Sequence, residues 1–336
     1  MQKKTAALLL CVMIATAAVL AAGCGGGQEA PQPGKSQPIV IAYTPWTGYA
    51  ALFIAQEKGM FKAKGLDVTL QSIEGVGDRK QAMVAKKIQA MATSLDVSIS
   101  AAGADLPLKL VWAFDASNGA DGLVVAKDKG IATVADLKGR QVAYHTGSAS
   151  HFFLKAILDR AGLSEKDIQS VDVKASEAAS AFMAGKVDAA VTWEPHLSKA
   201  VAQNGMILST TTDTPGLIAD VLTVHADFAR DSAKETQAIV EALAEASAFM
   251  QTHPDEANKI LAVLFKQTPE EVASDSKTIK FYDLKGNQEF YGTQEKPGLI
   301  YEVAKGAGQF YVDQKVLSQL PEVTKYIDNS FISKVK

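Results

Sequence analysis

Cysteine is nearly missing from this chain: there are two in 336 residues, Cys11 and Cys24, both close to the start. That excludes a disulfide framework and a cysteine-based metal site from everything downstream. An excess of charge of one sign is also missing. The 34 basic and 37 acidic residues leave a formal net charge of -3 at pH 7, which points to neither nucleic acid nor an anionic lipid surface as a partner. The apolar run Ala6–Leu20 falls short of the roughly 20 residues a spanning helix needs and gives way to Gly25-Gly26-Gly27. No solenoid repeat, phosphate-binding loop, Gly-x-Gly-x-x-Gly turn, Ser-centred nucleophile elbow or pair of His/Asp metal ligands at telling spacing is present.

What is present begins with an export signal. Lys3 and Lys4 precede the apolar run, and Leu20-Ala21-Ala22-Gly23 precedes Cys24 in the manner of a bacterial lipobox. The expectation is a signal peptide over 1–23, lipidation of Cys24, and a flexible stalk over 24–37 rich in Gly, Gln and Pro. A single acyl chain holds a protein only marginally, whereas the two or more added to a lipoprotein cysteine hold it lastingly. The location expected is therefore the extracytoplasmic face of a cell membrane, held by the lipid anchor alone.

The roughly 300 residues that follow exceed one ordinary core and suffice for two lobes. Short β-rich runs alternate with stretches of helical period, the pattern of βαβ units and mostly parallel sheets. Strands are expected at 38–43, 66–73, 88–93 and 108–114 in one lobe and at 141–144, 171–173 and 187–192 in the other, with a return strand at 220–225. The segment 122–126 reads as a crossing, which gives lobe 1 as 38–124 plus 219–336 and lobe 2 as 125–218. Helices are expected between these strands, with Gly162 closing one of them, and the Lys- and Glu-bearing helices near the C-terminus read as solvated amphipathic cover.

In open α/β sheets ligands sit beyond the carboxyl ends of strands, where βα turns converge. The turn Tyr43–Tyr49 holds three aromatics, with Trp46, Thr47, Gly48 and Tyr49 at its end; each aromatic can also plug a core, but a cleft needs apolar walls with a few placed polar groups. Ser94 and Asp96 follow the third strand, where Asp96 serves equally as a helix cap, and Asp115 follows the fourth, beside the turn-like Ser117-Asn118-Gly119. Gly147, Ser148 and Ser150 sit where a strand passes into a helix, a place that suits an anion. The neighbouring His145 and His151 read as polar loop residues. Trp193 and Glu194 end a buried strand, Trp193 as a wall and Glu194 as an acceptor or as a first-turn helix charge before Pro195. None of these turns carries Lys or Arg, a balance that favours an amine-bearing or zwitterionic ligand over a bare oxyanion.

Several of these stretches together resemble the solute-binding proteins of nitrate, sulfonate and taurine importers. They are Ile39–Tyr43, Ala55–Gly59, Phe61–Val68, Asp136–Arg140 before a strand, Thr146-Gly147-Ser148 after it, and Ala184–Pro195. The resemblance implies an α/β, two-lobed periplasmic-binding-protein fold (type II) with two crossing strands as hinge. It also implies a lipoprotein of an ABC importer that captures a small sulfonate, taurine-like or nitrogen-bearing solute, partnered by permease and ATPase subunits. No catalysis, cofactor or metal is expected, and a monomer is. By the same resemblance the contacts fall on the turn at 43–49, Ser94, Asp96, Gly147, Ser148, Ser150, Trp193 and Glu194; Asp115 is added from its position. Alternatives of the same fold are a thiamine-pyrimidine or other small-cation binding protein, a sensory receptor, or a cleft enzyme using Asp96, Asp115 and Glu194 as acid and base. The cysteine-rich motif of the related thiamine-pyrimidine synthases is absent.

Overall fold

The computed structural model describes residues 38–336 apart from Gln294; the expected signal peptide, Cys24 and stalk lie outside the described residues. Two sheets organise the chain. The first contains β1 (Ile39–Tyr43), β2 (Val68–Ser72), β3 (Ala90–Ser94) and β4 (Leu108–Ser117). The second contains β5 (Asp121–Ala126), β6 (Gln141–Tyr144), β7 (Gln169–Asp172), β8 (Ala189–Trp193) and β9 (Gly205–Thr210). The chain then returns to the first sheet with β10 (Ala219–His225) and β11 (Ile279–Phe281). The strand orders are β11-β4-β10-β3-β1-β2 and β7-β6-β8-β5-β9. In each sheet the βαβ part is parallel, and the strands at the crossings, β4, β5 and β10, run antiparallel to their neighbours.

The helices pack on these sheets: α1 (Ala50–Glu57), α2 (Met60–Ala63), α3 (Val76–Val84), α4 (Leu95–Gly103), α5 (Ala149–Arg160), α6 (Ala175–Met183) and α7 (His196–Gln203). The C-terminal third adds α8 (Ala226–Asp231), α9 (Ala233–Thr252), α10 (Pro254–Phe265), α11 (Pro269–Ser276), α12 (Leu284–Tyr291) and α13 (Ile300–Asp313). Their starts are written locally: α10 and α11 each open on Pro followed by two acidic residues, and Thr268 and Glu271 form a capping box. β3, β8 and β10 are buried along their whole length, so they read as continuous apolar or small runs rather than alternating ones.

Three expectations change here. The run Gly122–Ala126 is no linker: β5 pairs with β8 and β9 inside the second sheet, so the first crossing is Asn118–Ala120 and a lobe boundary at 124/125 would cut a buried strand. Strands β9 and β11 were not expected; both are edge strands, and β11 has only three residues. The late helices are more than solvated cover. Ile239, Val240, Leu243 and Ala246 of α9 are fully buried in the main core, and Phe310 of α13 packs on Phe152 of α5, with ring centroids 4.8 Å apart.

The crossings are tied to each other. Thr211 Oγ1 pairs with Ser117 Oγ at 2.7 Å and accepts from the Gly119 N–H at 2.8 Å, and Ser117 Oγ accepts from the Asp121 N–H at 3.1 Å. Gly119 has φ +116, a conformation that side-chain-bearing residues rarely adopt.

On the far side of β4, the fully buried Asn287 stands in for a missing strand. Its Oδ1 accepts from Ala113 N at 2.7 Å and its Nδ2 donates to Ala113 O at 2.9 Å, next to the irregularity that shifts the β4–β10 register. Replacing Asn287 by Leu strands one buried donor and one buried acceptor, each worth about 1–3 kcal/mol. A loss of about 2–5 kcal/mol of stability is expected in urea unfolding of Asn287→Leu, and a loss under 1 kcal/mol would show that this pair is not needed.

Candidate functional site

A narrow cavity of about 40 Å³ lies where the two sheets face each other, lined from both sides. The first sheet and its turns supply Thr44, Trp46, Tyr49, Glu74, Arg79, Thr93, Ser94 and Asp220; the second supplies Asp121, His145, Ser148 and Trp193. The lobes are closed over it. The Trp193 indole donates to Pro45 O at 3.3 Å, Glu74 Oε1 accepts from Ser176 Oγ at 2.7 Å, and the Tyr311 hydroxyl, whose proton is shared between Asp96 Oδ2 and Gly147 O, lies 3.2 Å from the latter, each joining one lobe to the other.

At one end stands Arg79, on the first turns of α3 and 4% exposed. Its Nη1 donates to Thr44 Oγ1 at 2.5 Å, Ile73 O at 2.6 Å and Glu74 O at 2.9 Å, and its Nη2 donates to Thr93 Oγ1 at 3.3 Å. All four partners are neutral oxygens. Among the described residues the guanidinium has no ion pair, and its buried Nε has no hydrogen-bond partner. Burial lowers its pKa, with too little opposing charge nearby to restore it. Beside it, α4 starts at Ser94 and α5 at Ser148, whose extended backbones leave helix N–H groups facing the same space.

The same cavity is lined by carboxylates. Asp220 Oδ1 accepts from Tyr49 OH at 2.7 Å, and Asp121 Oδ2 has no partner among the described residues. Burial is the first cause that lifts Asp121 to about 7 and Asp220 to about 8, the latter raised further by the Asp121 and Asp96 charges. Trp46, Tyr49 and Trp193 form the walls.

Of the residues expected from sequence, Trp46, Tyr49, Ser94, Ser148 and Trp193 therefore line the cavity. The others sit behind it. Asp115 is fully buried and accepts from the Trp46 indole at 3.3 Å; burial and the Asp220 charge push its carboxyl well up. Gly48 leaves the space across which Trp46 and Asp115 meet, since a Cβ there would collide with both. Asp96 Oδ2 accepts from Tyr311 OH at 2.9 Å, and burial raises its pKa. Glu194 caps α7, accepting from Ser198 N at 3.0 Å and Ser198 Oγ at 2.8 Å, so the helix-charge role is the one it fills.

Thr47 and Ser150 are buried outside the lining, and their hydroxyls have no partner among the described residues. Gly147, at φ +71, shapes the turn into α5. Its N–H donates to His151 Nδ1 at 3.1 Å, which leaves His151 Nε2 to donate to Glu165 at 2.5 Å. His151 is thus a turn brace, whereas His145 lines the cavity.

Sequence reasoning missed Arg79, Glu74, Asp121 and Asp220. A signal existed for the first two, because they flank the βα turn after β2, a turn left unread. Asp121 and Asp220 each stand at the first or second position of a strand that follows a crossing, and no local pattern marks that.

The fold is that of the periplasmic binding proteins. An alkanesulfonate-binding protein from Xanthomonas axonopodis pv. citri, solved bound to MOPS, superposes with TM-score 0.75 at 18% identity, over 88% of this chain and 99% of that one. A desulfurization enzyme shares the fold, with TM-score 0.67 at 16% identity over 88% of this chain and 98% of that one. Residues 46–257, more than half of the chain, match the profile described as NMT1/THI5 like, and the chain belongs to that family. A relative in Escherichia coli strain K12 named for aliphatic sulfonate binding is 34% identical over 144 residues, 43% of this chain and 45% of that protein. Another so named, in Bacillus subtilis strain 168, is 24% identical over 96% of this chain and 95% of its own length. The chain thus spans less than half of the first relative and nearly all of the second.

The raised carboxyls give a signed pH dependence. A carboxyl held near 7 or 8 in the folded chain and near 3.9 in the unfolded one binds more protons when folded, so stability falls as pH rises through that window. His145, His196 and His225, lowered by burial, act oppositely but only below about pH 6.5. The melting temperature of the ligand-free chain is expected to fall between pH 6.5 and 8, and to fall less in Asp220→Asn; an identical slope in the two would remove Asp220 as the cause.

Proposed function

We propose that this chain is the extracytoplasmic solute-binding component of an ATP-driven importer, that it captures a small organosulfonate between its lobes, and that it catalyses no reaction. The observation that carries this reading is Arg79, a buried cation in the interlobe cavity held only by neutral oxygens. A buried charge without a counter-charge is costly, and an anionic ligand removes the cost. The guanidinium edge bearing Nε and Nη2 keeps free N–H capacity, which suits two oxygens of one oxyanion. The hydroxyls of Thr93, Ser94 and Ser148 and two helix starts are at hand for the third.

The relatives named for aliphatic sulfonates support the same ligand class. Against catalysis stands the lining itself: it holds no cysteine, and its two serines have no histidine paired to them as base. Lobe closure about the crossings would present the ligand to permease and ATPase subunits, and Cys24 would carry the acyl chains that keep the chain at the membrane. Changing Cys24→Ser is expected to move the protein from the membrane to the soluble fraction of expressing cells; retention in the membrane would refute the anchor.

The ligand class is tested by melting scans of the chain against alkanesulfonates, nitrate, carboxylates and pyrimidines. A ligand at 100 times its Kd adds about 2.7 kcal/mol to stability. Stabilisation by sulfonates, with binding weakened about 10- to 100-fold in Arg79→Gln as expected for a charged hydrogen bond, is the expected result. Stabilisation by pyrimidines or nitrate with none by sulfonates would overturn it.

A further inference from the structure

Glu74 is an acid in the wall of a cavity that the reading above gives to an anion, where its charge repels the ligand. Its carboxylate is turned instead to the other lobe: Oε1 accepts from Ser176 Oγ at 2.7 Å and from Ser176 N at 3.4 Å. Ser176 is the second residue of α6, a nine-residue helix whose N-cap position is held by Lys174. A lysine side chain has no acceptor for the N–H groups that a helix start leaves open. Within the helix Glu177 accepts from Lys174 N at 3.2 Å, which leaves the Ser176 N–H to Glu74, 102 positions away on the first sheet's turn. That turn is gripped by Arg79, whose Nη1 donates to Ile73 O, Glu74 O and Thr44 Oγ1. Thr44 precedes Pro45, the acceptor of the Trp193 indole. Thr192, next to Trp193 and fully buried, donates to Ala175 O at 3.0 Å at the start of α6. One guanidinium thus ties together two turns of the first lobe that reach across, and one threonine ties together the two elements of the second lobe that they reach.

We propose that Glu74 is the closure residue of this chain: it caps α6 of the opposite lobe only when the lobes are shut, and Arg79, by holding the turn that carries it, links that cap to the occupancy of the cavity. An oxyanion on Arg79 fixes the guanidinium, and with it Ile73-Glu74 and Thr44-Pro45, the two stretches whose contacts cross between the lobes. The favourable partner of the Glu74 charge is the positive end of α6, so an acid that repels the ligand is kept for a contact that the ligand does not make. When the lobes part, the Ser176 N–H loses its side-chain acceptor, and opening is opposed by the loss of a cap. The link to the ligand rests on the sulfonate reading above; the cap between the lobes does not.

The test has an arm without ligand and an arm with it. In the ligand-free full-length chain in detergent, acrylamide quenching of tryptophan fluorescence reports opening, because Trp46 and Trp193 line the interlobe cavity while the third tryptophan, Trp112, is buried in the first lobe's core. Glu74→Ala and Ser176→Ala, each checked for an intact melting transition, are expected to raise the quenching, and the double variant to raise it no further than Glu74→Ala alone. Binding of ethanesulfonate and butanesulfonate is then followed by stopped-flow tryptophan emission. Dissociation is expected to be about 3- to 30-fold faster in Glu74→Ala, the range for loss of a helix cap, with little change in association. Charge alone predicts the opposite sign, since removing an acid beside an anion site tightens binding. Ser176→Ala, which alters no charge, is expected to weaken binding in the same direction as Glu74→Ala. Quenching unchanged in both variants would overturn the cap as a closing contact, and sulfonate binding that is unchanged or tighter in Glu74→Ala would overturn its link to the ligand. Raised quenching in the variants, with no sulfonate bound by the parent chain, would uphold the closing contact and remove the sulfonate reading together with the link to it.

Discussion

Charge buried without its complement is the constraint on which the rest of this molecule turns. Between the lobes lie a guanidinium whose hydrogen-bond partners among the described residues are neutral oxygens and a pair of buried carboxylates, one of which accepts from the Tyr49 hydroxyl. A protein that folded only for stability would have joined Arg79 to Asp220 or filled both places with apolar side chains. Instead Arg79 and Asp220 line one cavity without an ion pair between them among the described residues, each held by neutral neighbours. Arg79 cannot swing away, because Thr44, Ile73, Glu74 and Thr93 hold it, and Asp115 is held in place by the Trp46 indole. The polarity of the site is therefore prepared before any ligand arrives, and the melting temperature ought to carry the mark of it.

The two sheets are what make this arrangement possible. Each is a half-parallel βαβ unit whose turns gather at one edge, and the chain crosses from one to the other only at Asn118–Ala120 and through Thr211–Ile218. Thr211, Ser117 and Gly119 bind those crossings into one small hydrogen-bonded unit. The contacts that close the front combine three hydrogen bonds, Trp193 to Pro45, Glu74 to Ser176 and Tyr311 to Gly147, with the packing of Phe310 on Phe152. Tyr311 also holds Asp96 of α4, so the last long helix couples the first lobe's interior to the second lobe's ligand turn.

Much was legible in order along the chain. The strand and helix series from Ile39 to Gln203 follows from short β-rich runs alternating with helical periods, and the aromatic turn at Trp46–Tyr49 and the Trp193 strand end announce themselves because loops have little other use for such side chains. The carboxylates were harder to sort. Asp96, Asp115 and Glu194 look from the sequence just as suited to a ligand as Asp121 and Asp220 do. What separates them is whether a neighbour already occupies their oxygens: Tyr311, Trp46 and Ser198 do so, and none of the three is predictable from local pattern.

The amino-acid sequence by itself determined the α/β alternation, the places where helices begin and end, and the concentration of aromatic and hydroxyl side chains in a few βα turns. These depend on residues within a few positions of each other, through periodicity, capping and turn chemistry. Only the tertiary structure decided which lobe owns β5, that Arg79 lines the cavity, and that two aspartates from different sheets line it too. Those outcomes depend on strand pairings and burial among residues from different elements, up to 171 positions apart for Tyr49 and Asp220, and burial is what turns an ordinary aspartate or arginine into a site.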